Sequence, residues 1–396
     1  MNRYVCLILS IFILSFVAKA GDVARIPPEY NIFLLFQGYT INAYNATGFS
    51  NALYSTISDL PDANPASLTD YEKPAIGLSM EYHTGIDQAL IPNLDGIGHS
   101  RDNQYLPQSF AAIYPFQSFQ VGLGFYQKYS GKVEFGLEPI VSPQDPEGIG
   151  QFYEPEFTRN IYSGNIIISK KFNKIFGSDH QISAGSQLNL DYFKGKEKIS
   201  TLEVAYSDEA FSWKLGIRYS YQNLLNTAVI FDKGSSFSGK IKYNHDFLVP
   251  VIQDTSLTGN NISIEQEEEK FKSTTPDRLI LGYELKSLPW LWISGSTNLV
   301  YWHGQYNTMN NNLDYSVNFI INGKEKYSYS VGYFNTDTEV FLLTYGSAIN
   351  YEAHFLSGGF RARLESMAIY VTIMDSHLST KTRRQTIGKL GFEYQF

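Results

Sequence analysis

Long apolar runs are almost absent from this 396-residue sequence, although 43% of its residues are hydrophobic. A membrane-spanning helix needs about 20 consecutive apolar residues, and only residues 4–17 come near that length. Together with a mean hydropathy of −0.21, this excludes a bundle of membrane helices. The run follows two polar residues and precedes Ala18-Lys19-Ala20, which is typical of a secretory signal peptide. We expect residues 1–20 to be that signal; the alternative, a signal anchor, would need a longer run.

Cysteine and basic residues are also scarce. The single cysteine, Cys6, lies in the expected signal peptide, so the mature chain would have no disulfide, no thiolate nucleophile and no cysteine metal site. The 31 basic residues are outnumbered by 39 acidic ones, which gives a net charge of −8. A protein that binds nucleic acid needs basic side chains to neutralise phosphates. We therefore expect no nucleic acid partner.

Aromatic residues, in contrast, are abundant at 15% of the chain, and apolar residues alternate with polar ones in many short segments. In residues 386–396, for example, Leu390 and Phe392 share one face, whereas Lys389 and Glu393 lie on the other. Successive side chains of a strand point to opposite faces. The pattern therefore predicts strands with one apolar and one polar face.

Fourteen segments are candidate strands, and most have the roughly 9 to 11 residues that a tilted strand needs to cross a bilayer. They lie near residues 75–83, 108–116, 118–130, 160–171, 180–193, 198–221, 225–245, 277–287, 291–303, 326–334, 338–346, 352–362, 366–376 and 386–396. Several are joined by tight turns and others by long loops, which is typical of outer-membrane barrels. The sequence predicts an all-β fold, a transmembrane antiparallel β-barrel of 14 strands.

Two alternatives to this fold remain open from the sequence. A soluble β-sandwich would also show alternation, although its strands are usually shorter. Sixteen strands is the rival count for a barrel, because 313–321 could be a further strand and 198–221 could be two. The aromatic Phe396 at the end of the last amphipathic strand favours the barrel, since bacterial outer-membrane barrels commonly end in this way.

Residues 21–74 precede the first strand and do not alternate. A barrel of 14 strands is wider than the eight-stranded barrels that side chains fill, so its lumen must be open or occupied. We expect residues 21–74 to form a plug in the lumen of a barrel made by residues 75–396. The alternative is a disordered periplasmic tail, which would expose the apolar run at residues 32–36.

Several segments resemble the outer-membrane transporters for long-chain fatty acids and other hydrophobic compounds, the FadL and TodX family. Asn64-Pro65-Ala66 is similar to the plug motif of that family, and residues 105–129 look like its second and third strands. Residues 276–283, 288–289, 300–302 and 355–360 are similar to later strands and a turn of the family. The resemblance implies a monomeric barrel with an N-terminal plug. It further implies passive uptake of a hydrophobic small molecule, which leaves sideways through an opening at a kinked third strand.

The same resemblance implies the partners of the chain. They are the hydrophobic substrate, outer-membrane lipid and lipopolysaccharide, and the barrel assembly machinery, which would bind the C-terminal strand. One departure from the family is that Gly195-Lys196-Glu197-Lys198 predicts a hairpin where the family has a long third loop.

Two further sites follow from the residues themselves. Gly122 and Gly124 share one face of the third strand and weaken its packing, so they are candidates for a lateral gate. Alternatively, they are ordinary barrel glycines that allow curvature. An apolar run in the 246–276 loop is a candidate landing site for substrate, or else the rim end of a long strand. Its residues are Phe247, Leu248, Val249, Val251 and Ile252.

Catalysis has little support in the sequence. The seven histidines show no H-x-x-x-H or H-x-H spacing of a metal site. Asp375-Ser376-His377 could supply part of a serine hydrolase, but neighbours on one strand point to opposite faces. We expect no enzyme, no metal and no cofactor. Uptake of hydrophobic compounds leads; the alternatives are a secretion-associated relative that shuttles or anchors exported proteins, and an outer-membrane lipase.

Overall fold

A computed structural model gives the fold of the chain. It describes residues 49–50, 52–87, 100–134, 138–139, 152–153, 156–173, 179–199, 202–222, 224–239, 241–245, 273–301, 312–322, 324–336, 339–342, 347–350, 353–379 and 383–396. In this part of the chain, no helix has the length and apolarity of a membrane span.

Fourteen long strands form one sheet. They are β1 Ala75–Asp87, β2 Ser100–Pro115, β3 Gln120–Glu134, β4 Glu156–Asn173, β5 His180–Ile199, β6 Leu202–Tyr221, β7 Leu225–Lys233, β8 Asp277–Leu288, β9 Leu291–Tyr301, β10 Asn312–Ile321, β11 Tyr327–Thr336, β12 Ala353–Leu364, β13 Met367–Asp375 and β14 Arg383–Gln395. Each strand pairs antiparallel with the next, and β14 pairs back with β1. The sheet is therefore a closed barrel, in which every strand has a ladder with both of its neighbours.

The predicted count of 14 strands is confirmed, and the rival count of 16 is wrong, but the membership differs from the prediction. Asn312–Ile321 is a wall strand, paired with β9 and β11. Within the segment predicted as a strand at 338–346, the described residues form only the short strand Glu339–Leu342, and a second short strand, Ser347–Asn350, follows it. These two short strands pair with each other in a separate sheet.

Two further boundaries differ from the sequence-based prediction. The hairpin expected at 195–198 lies inside β5, because β5 and β6 are paired as far as Ile199 and Leu202. The segment 225–245, predicted as one strand, leaves the ladder after β7 and pairs with β6 again at Ile241–His245.

The outer face of the barrel is apolar and the inner face is mainly polar. On β13, Ile369, Val371 and Ile373 are 41–54% exposed, whereas the intervening Tyr370 and Thr372 are buried. Exposed apolar surface on this scale is unfavourable in water. A lipid-facing barrel wall requires it, together with a polar interior.

The two ends of the barrel differ. Tight connections such as 116–119, 289–290 and 365–366 lie at the end where β1 begins, which we call the short-turn end. At the opposite end, the long-loop end, connections such as 135–155 are much longer. The wall is also uneven: β4, β5 and β6 have 18, 20 and 20 residues, whereas β7 and β13 have 9 each.

The described residues that precede β1 lie inside the barrel. Side chains that touch them come from strands all round the wall: Ser109 of β2, Asn165 of β4, Gln187 of β5, Arg218 of β6, Asn226 of β7, Lys286 of β8, Ile320 of β10, Arg361 of β12, Tyr370 of β13 and Glu393 of β14. A segment contacted from every side must occupy the lumen. We call residues 49–74 the plug segment; it contains a short 3₁₀-helix, Pro65–Asp70.

Candidate functional site

Asn64-Pro65-Ala66 begins the 3₁₀-helix of the plug segment. Asn64 is its N-cap: Oδ1 accepts a hydrogen bond from the Ala66 backbone N at 2.9 Å, and Nδ2 donates to the Ala52 carbonyl at 2.9 Å. Pro65 suits the first helical position, because its fixed φ is helical and its missing N–H would have had no partner there. Asn64 is fully buried, so this side chain fastens two parts of the plug segment where water is excluded.

Two inward-facing glycines make room for the motif. A Cβ atom at Gly216 on β6 would fall well inside van der Waals contact with Asn64 Oδ1. One at Gly185 on β5 would lie 2.5 Å from the Pro65 carbonyl carbon. The plug segment therefore approaches β5 and β6 closely enough that only glycine fits. Sequence reasoning missed both glycines, because their role depends on partners far away in the chain.

Polar side chains of the wall bind backbone carbonyls of the plug segment. Gln187 Nε2 donates to the Pro61 carbonyl at 2.6 Å, and Lys214 Nζ donates to the Asp62 carbonyl at 2.8 Å. The plug segment is not part of a sheet, so its backbone carbonyls have no partners in a strand ladder. Buried carbonyls nevertheless need hydrogen-bond donors. The polar inner face of the barrel supplies them.

Three ion pairs join the plug segment to the wall, and in each of them the cation is a buried wall residue. They are Lys389–Asp59, Lys214–Asp62 at 3.7 Å, and Arg218–Asp70, in which Arg218 Nη1 donates to Asp70 Oδ2 at 2.6 Å. Removing one partner of a buried pair leaves an uncompensated charge, which costs about 3–5 kcal/mol. These pairs therefore favour one seated position of the plug segment.

Tyr54 attaches the plug segment to β7 and β8. Its hydroxyl accepts hydrogen bonds from Asn226 Nδ2 at 2.7 Å and Lys286 Nζ at 3.0 Å. Burial, followed by the negative charge of Glu284, raises the pKa of Tyr54 well above its usual value. The phenol therefore stays protonated and can donate a hydrogen bond as well as accept two.

Gly122 and Gly124 lie on the inner face of β3, against the plug segment. Gly122 is paired with Ile113 and Gly124 with Ala111 on β2, and both are also paired with β4. The wall is not interrupted at these glycines, which corrects the reason given above for a gate there. A Cβ atom at Gly124 would lie 2.6 Å from Pro61 Cγ. The structure thus gives Gly124 a steric role towards the plug segment, while a role in gating stays a prediction.

The wall is interrupted further along β3. Pairing between β2 and β3 runs from Pro115 and Gln120 to Ser109 and Tyr126, and it ends there. Beyond that point, residues 100–107 pair with β1, and residues 127 and 129–134 pair with β4, but the described parts of the two strands do not pair with each other. We call this break, which opens towards the long-loop end, the β2–β3 seam.

Both strands bulge where they part. The register with β1 leaves Gln108 of β2 as an extra residue, and the register with β4 leaves Lys128 of β3 as another. A bulge bends the strand and disrupts its ladder. Next to Gln108 stands Pro107, which has no N–H to offer a ladder and suits a strand edge. The seam is therefore encoded by bulges and a proline rather than by glycine.

The remaining sequence-predicted residues add nothing to this site. Phe247, Leu248, Val249, Val251 and Ile252 lie outside the described residues. In the other motif, Asp375 Oδ2 lies 3.1 Å from His377 Nδ1, but the buried Ser376 hydroxyl binds the backbone of Gln385 instead. Among the residues that the structure describes, no cluster of three or more His, Cys, Asp or Glu could hold a metal ion.

Comparison with solved structures identifies the architecture. The toluene transporter TbuX of Ralstonia pickettii is similar at a TM-score of 0.61 and 10% identity, over 92% of this chain and 100% of that one. The toluene transporter TodX of Pseudomonas putida gives 0.59 and 12%, over 91% and 100%. A FadL homologue of Pseudomonas aeruginosa gives 0.59 and 12%, over 91% and 99%. No protein-family model and no curated protein matches the sequence. The chain has the fold of the FadL- and TodX-type barrels.

Proposed function

We propose that the protein is a bacterial outer-membrane channel for the passive uptake of hydrophobic compounds, with lateral exit through the barrel wall. Long-chain fatty acids or similar apolar molecules are the expected substrates. The names of the similar structures, which are toluene transporters and a FadL homologue, support this proposal. The β2–β3 seam beside a lumen that holds the plug segment is the observation that carries it.

The plug segment obstructs the direct route along the barrel axis. Its residues Ile57, Leu60 and Leu68 pack against Ala111 and Ile113 of the wall in one buried cluster. A solute moving straight through would have to displace this cluster and the ion pairs around it. The seam offers a route that leaves the plug segment in place.

Lateral exit also suits an apolar solute energetically. A molecule that passes through the seam moves from the lumen into lipid and never has to enter water. This avoids exposing its methylene groups, at about 0.8 kcal/mol for each CH₂. A water-soluble solute gains nothing from such a route, so the seam selects for apolar compounds.

The proposal extends beyond the described residues. We assign residues 1–20 to a signal peptide, 21–74 to the plug and 75–396 to the barrel. Lipid and lipopolysaccharide would surround the apolar band of the wall, and the assembly machinery would bind β14. The protein would act without catalysis, as a monomer.

A disulfide across the seam tests lateral exit. Gln108→Cys and Gln127→Cys place two thiols on the facing edges of β2 and β3, in a mature chain with no other cysteine. In cells that produce the oxidised variant, we expect uptake of labelled oleate and toluene to fall to the level of cells without the protein. A reductant should restore uptake, because it reopens the seam.

The matched control is Ala112→Cys with Leu123→Cys, a pair that is already joined in the ladder. This disulfide should leave uptake unchanged. If both disulfides form and the seam disulfide does not reduce uptake, the exit lies elsewhere, most directly through the plug segment.

A further inference from the structure

A short stretch between β7 and β8 leaves the wall and folds into the lumen. The β6–β7 ladder ends at Trp213 and Lys233, and pairing with β6 resumes at Tyr206 and Ile241. Between these points the chain contacts inward-facing side chains. We call residues 234–239 the strap. Its sequence, Gly234-Ser235-Ser236-Phe237-Ser238-Gly239, carries one apolar side chain between two glycines.

That one apolar side chain, Phe237, is fully buried. It packs with inward-facing residues of four neighbouring strands: Tyr129 of β3, Ile161 of β4, Phe193 of β5 and Tyr206 of β6. The ring of Phe237 lies 5.2 Å from that of Phe193, at 28° to it. We call these four wall residues the aromatic slot. The slot stands out because the inner face around it is polar, with Ser163, Asn189, Asp191 and Ser212 close along the same strands.

The slot lies next to the β2–β3 seam. Tyr129 directly follows Lys128, the bulged residue at which β3 parts from β2. Lys128 Nζ of β3 reaches past β4 to Asp191 Oδ2 of β5 at 2.8 Å, and the Ser235 hydroxyl of the strap donates to the same Asp191 oxygen. A single carboxylate therefore binds both the edge of the seam and the strap.

The other attachments of the strap among the described residues are polar, and they include a short ladder in which Ser236 and Phe237 pair with Thr274 and Ser273. Its backbone N–H groups at Gly234, Ser235 and Ser238 donate to Asp277, Thr275 and Asp208, at 2.8, 2.7 and 2.5 Å. Hydrogen bonds of this kind can be exchanged for bonds to water at small net cost. The packing of Phe237 is different. Moving its apolar ring out of the aromatic slot is unfavourable unless another apolar group takes its place there.

From these contacts, and on the basis of the proposed function, we propose that the aromatic slot is a binding site for an apolar group about the size of a benzyl ring. Phe237 is its resident occupant. A substrate that moves from the lumen to the seam displaces Phe237 from the slot, and the strap withdraws by pivoting at its two glycines. The strap thereby keeps the slot filled and dry when substrate is absent.

Ligand binding to the purified full chain tests the site, with fluorobenzene as the probe and ¹⁹F NMR as the readout. Phe237→Ala empties the slot, so this variant should bind fluorobenzene saturably. If the strap is closed for about 90% of the time, the wild-type protein should bind about tenfold more weakly, because Phe237 competes.

The matched control is Phe334→Ala. Phe334 is also fully buried and stacks on Phe355 at 4.8 Å, but it lies on β11, away from the seam. This variant should bind no more tightly than the wild type. Equal binding by both variants would show only that a ring-sized cavity accepts a ring, and would overturn the proposal.

Movement of the strap is a second test that keeps Phe237 in place. Ser236 is exposed, so Ser236→Cys can carry a spin label in the otherwise cysteine-free mature chain. Saturating fluorobenzene should mobilise this label, while a label at Ser118→Cys in the β2–β3 turn should not respond. An unchanged Ser236 label at saturation would overturn the inference even if the protein transports apolar compounds. A responsive label in a protein that transports none would contradict the proposed function alone.

Discussion

At the scale of single residues, glycine decides how closely the plug segment approaches the wall. Gly216→Ala would drive a methyl group against Asn64 Oδ1, so the N-cap or the strand must shift. We expect this variant to fold as a barrel but to seat its plug segment poorly, which limited proteolysis within residues 52–74 would reveal. Gly164→Ala is the control, because a Cβ atom there has no neighbour within 4 Å. Equal protection of the two variants would contradict the expected steric role.

Single residues also show which parts of the site the sequence could reveal. Asn64-Pro65-Ala66 was found through its resemblance to the plug motif of the FadL and TodX family, and the N-cap that it forms became visible only in the structure. Gly122 and Gly124 were found for the wrong reason: both are paired on two sides, and Gly124 instead makes room for Pro61. A strand glycine looks the same in sequence whether it weakens a ladder or admits a neighbour.

At the scale of elements, the plug segment depends on the cations of the wall. Lys389 of β14 is buried between Asp59 of the plug segment and Glu81 of β1. Lys389→Met would leave two buried carboxylates without their cation and should destabilise the seated plug segment by about 3–5 kcal/mol. Proteolysis of the plug segment in detergent measures this effect. Lys170→Met, at an exposed site on the outer face of β4, is the control and should behave as wild type. If the plug segment of Lys389→Met resists proteolysis as well as that of Lys170→Met, the ion pair does not hold the plug segment in place.

Element boundaries were the least predictable feature, since tertiary partners set them. Gly195-Lys196-Glu197-Lys198 has the composition of a turn, but Gly195 is paired with Tyr206, whose ring lies across it inside a continuous hairpin. The strap was hidden because alternation continues on both sides of it. Gly234 and Gly239, which flank the strap, were the local sign that the strand ends there. Neither glycine alone predicts such an end.

At the scale of the whole molecule, the closed ladder predicts resistance to detergent. A barrel in which every strand is paired with both neighbours should stay folded in mild detergent and migrate differently on a gel before and after boiling. We expect such a heat-modifiable band, together with β-rich circular dichroism of the unboiled sample. Recovery as a soluble periplasmic protein with one band under both conditions would contradict the barrel assignment.

The whole-molecule prediction from sequence succeeded because it used signals that repeat. Alternation and the contrast of short turns with long loops recur along the chain, so an error in one strand does not change the architecture. The count of 14 survived although β10 was counted only as a possible further strand and the segment at 338–346 was wrongly included. The seam could not be found in this way, because it depends on the registers of three strand pairs at once.

The contact between the plug segment and the last strand constrains the order of folding. The Ile57 backbone N donates to Glu393 Oε1 at 2.6 Å, although the two residues are 336 positions apart. Contacts between distant residues form late, since long loops must close first. The plug segment also binds β6, so its full set of contacts exists only when β6 and β14 are both in the wall. The final seating of the plug segment therefore comes at the end of assembly, together with the closure of the barrel between β14 and β1.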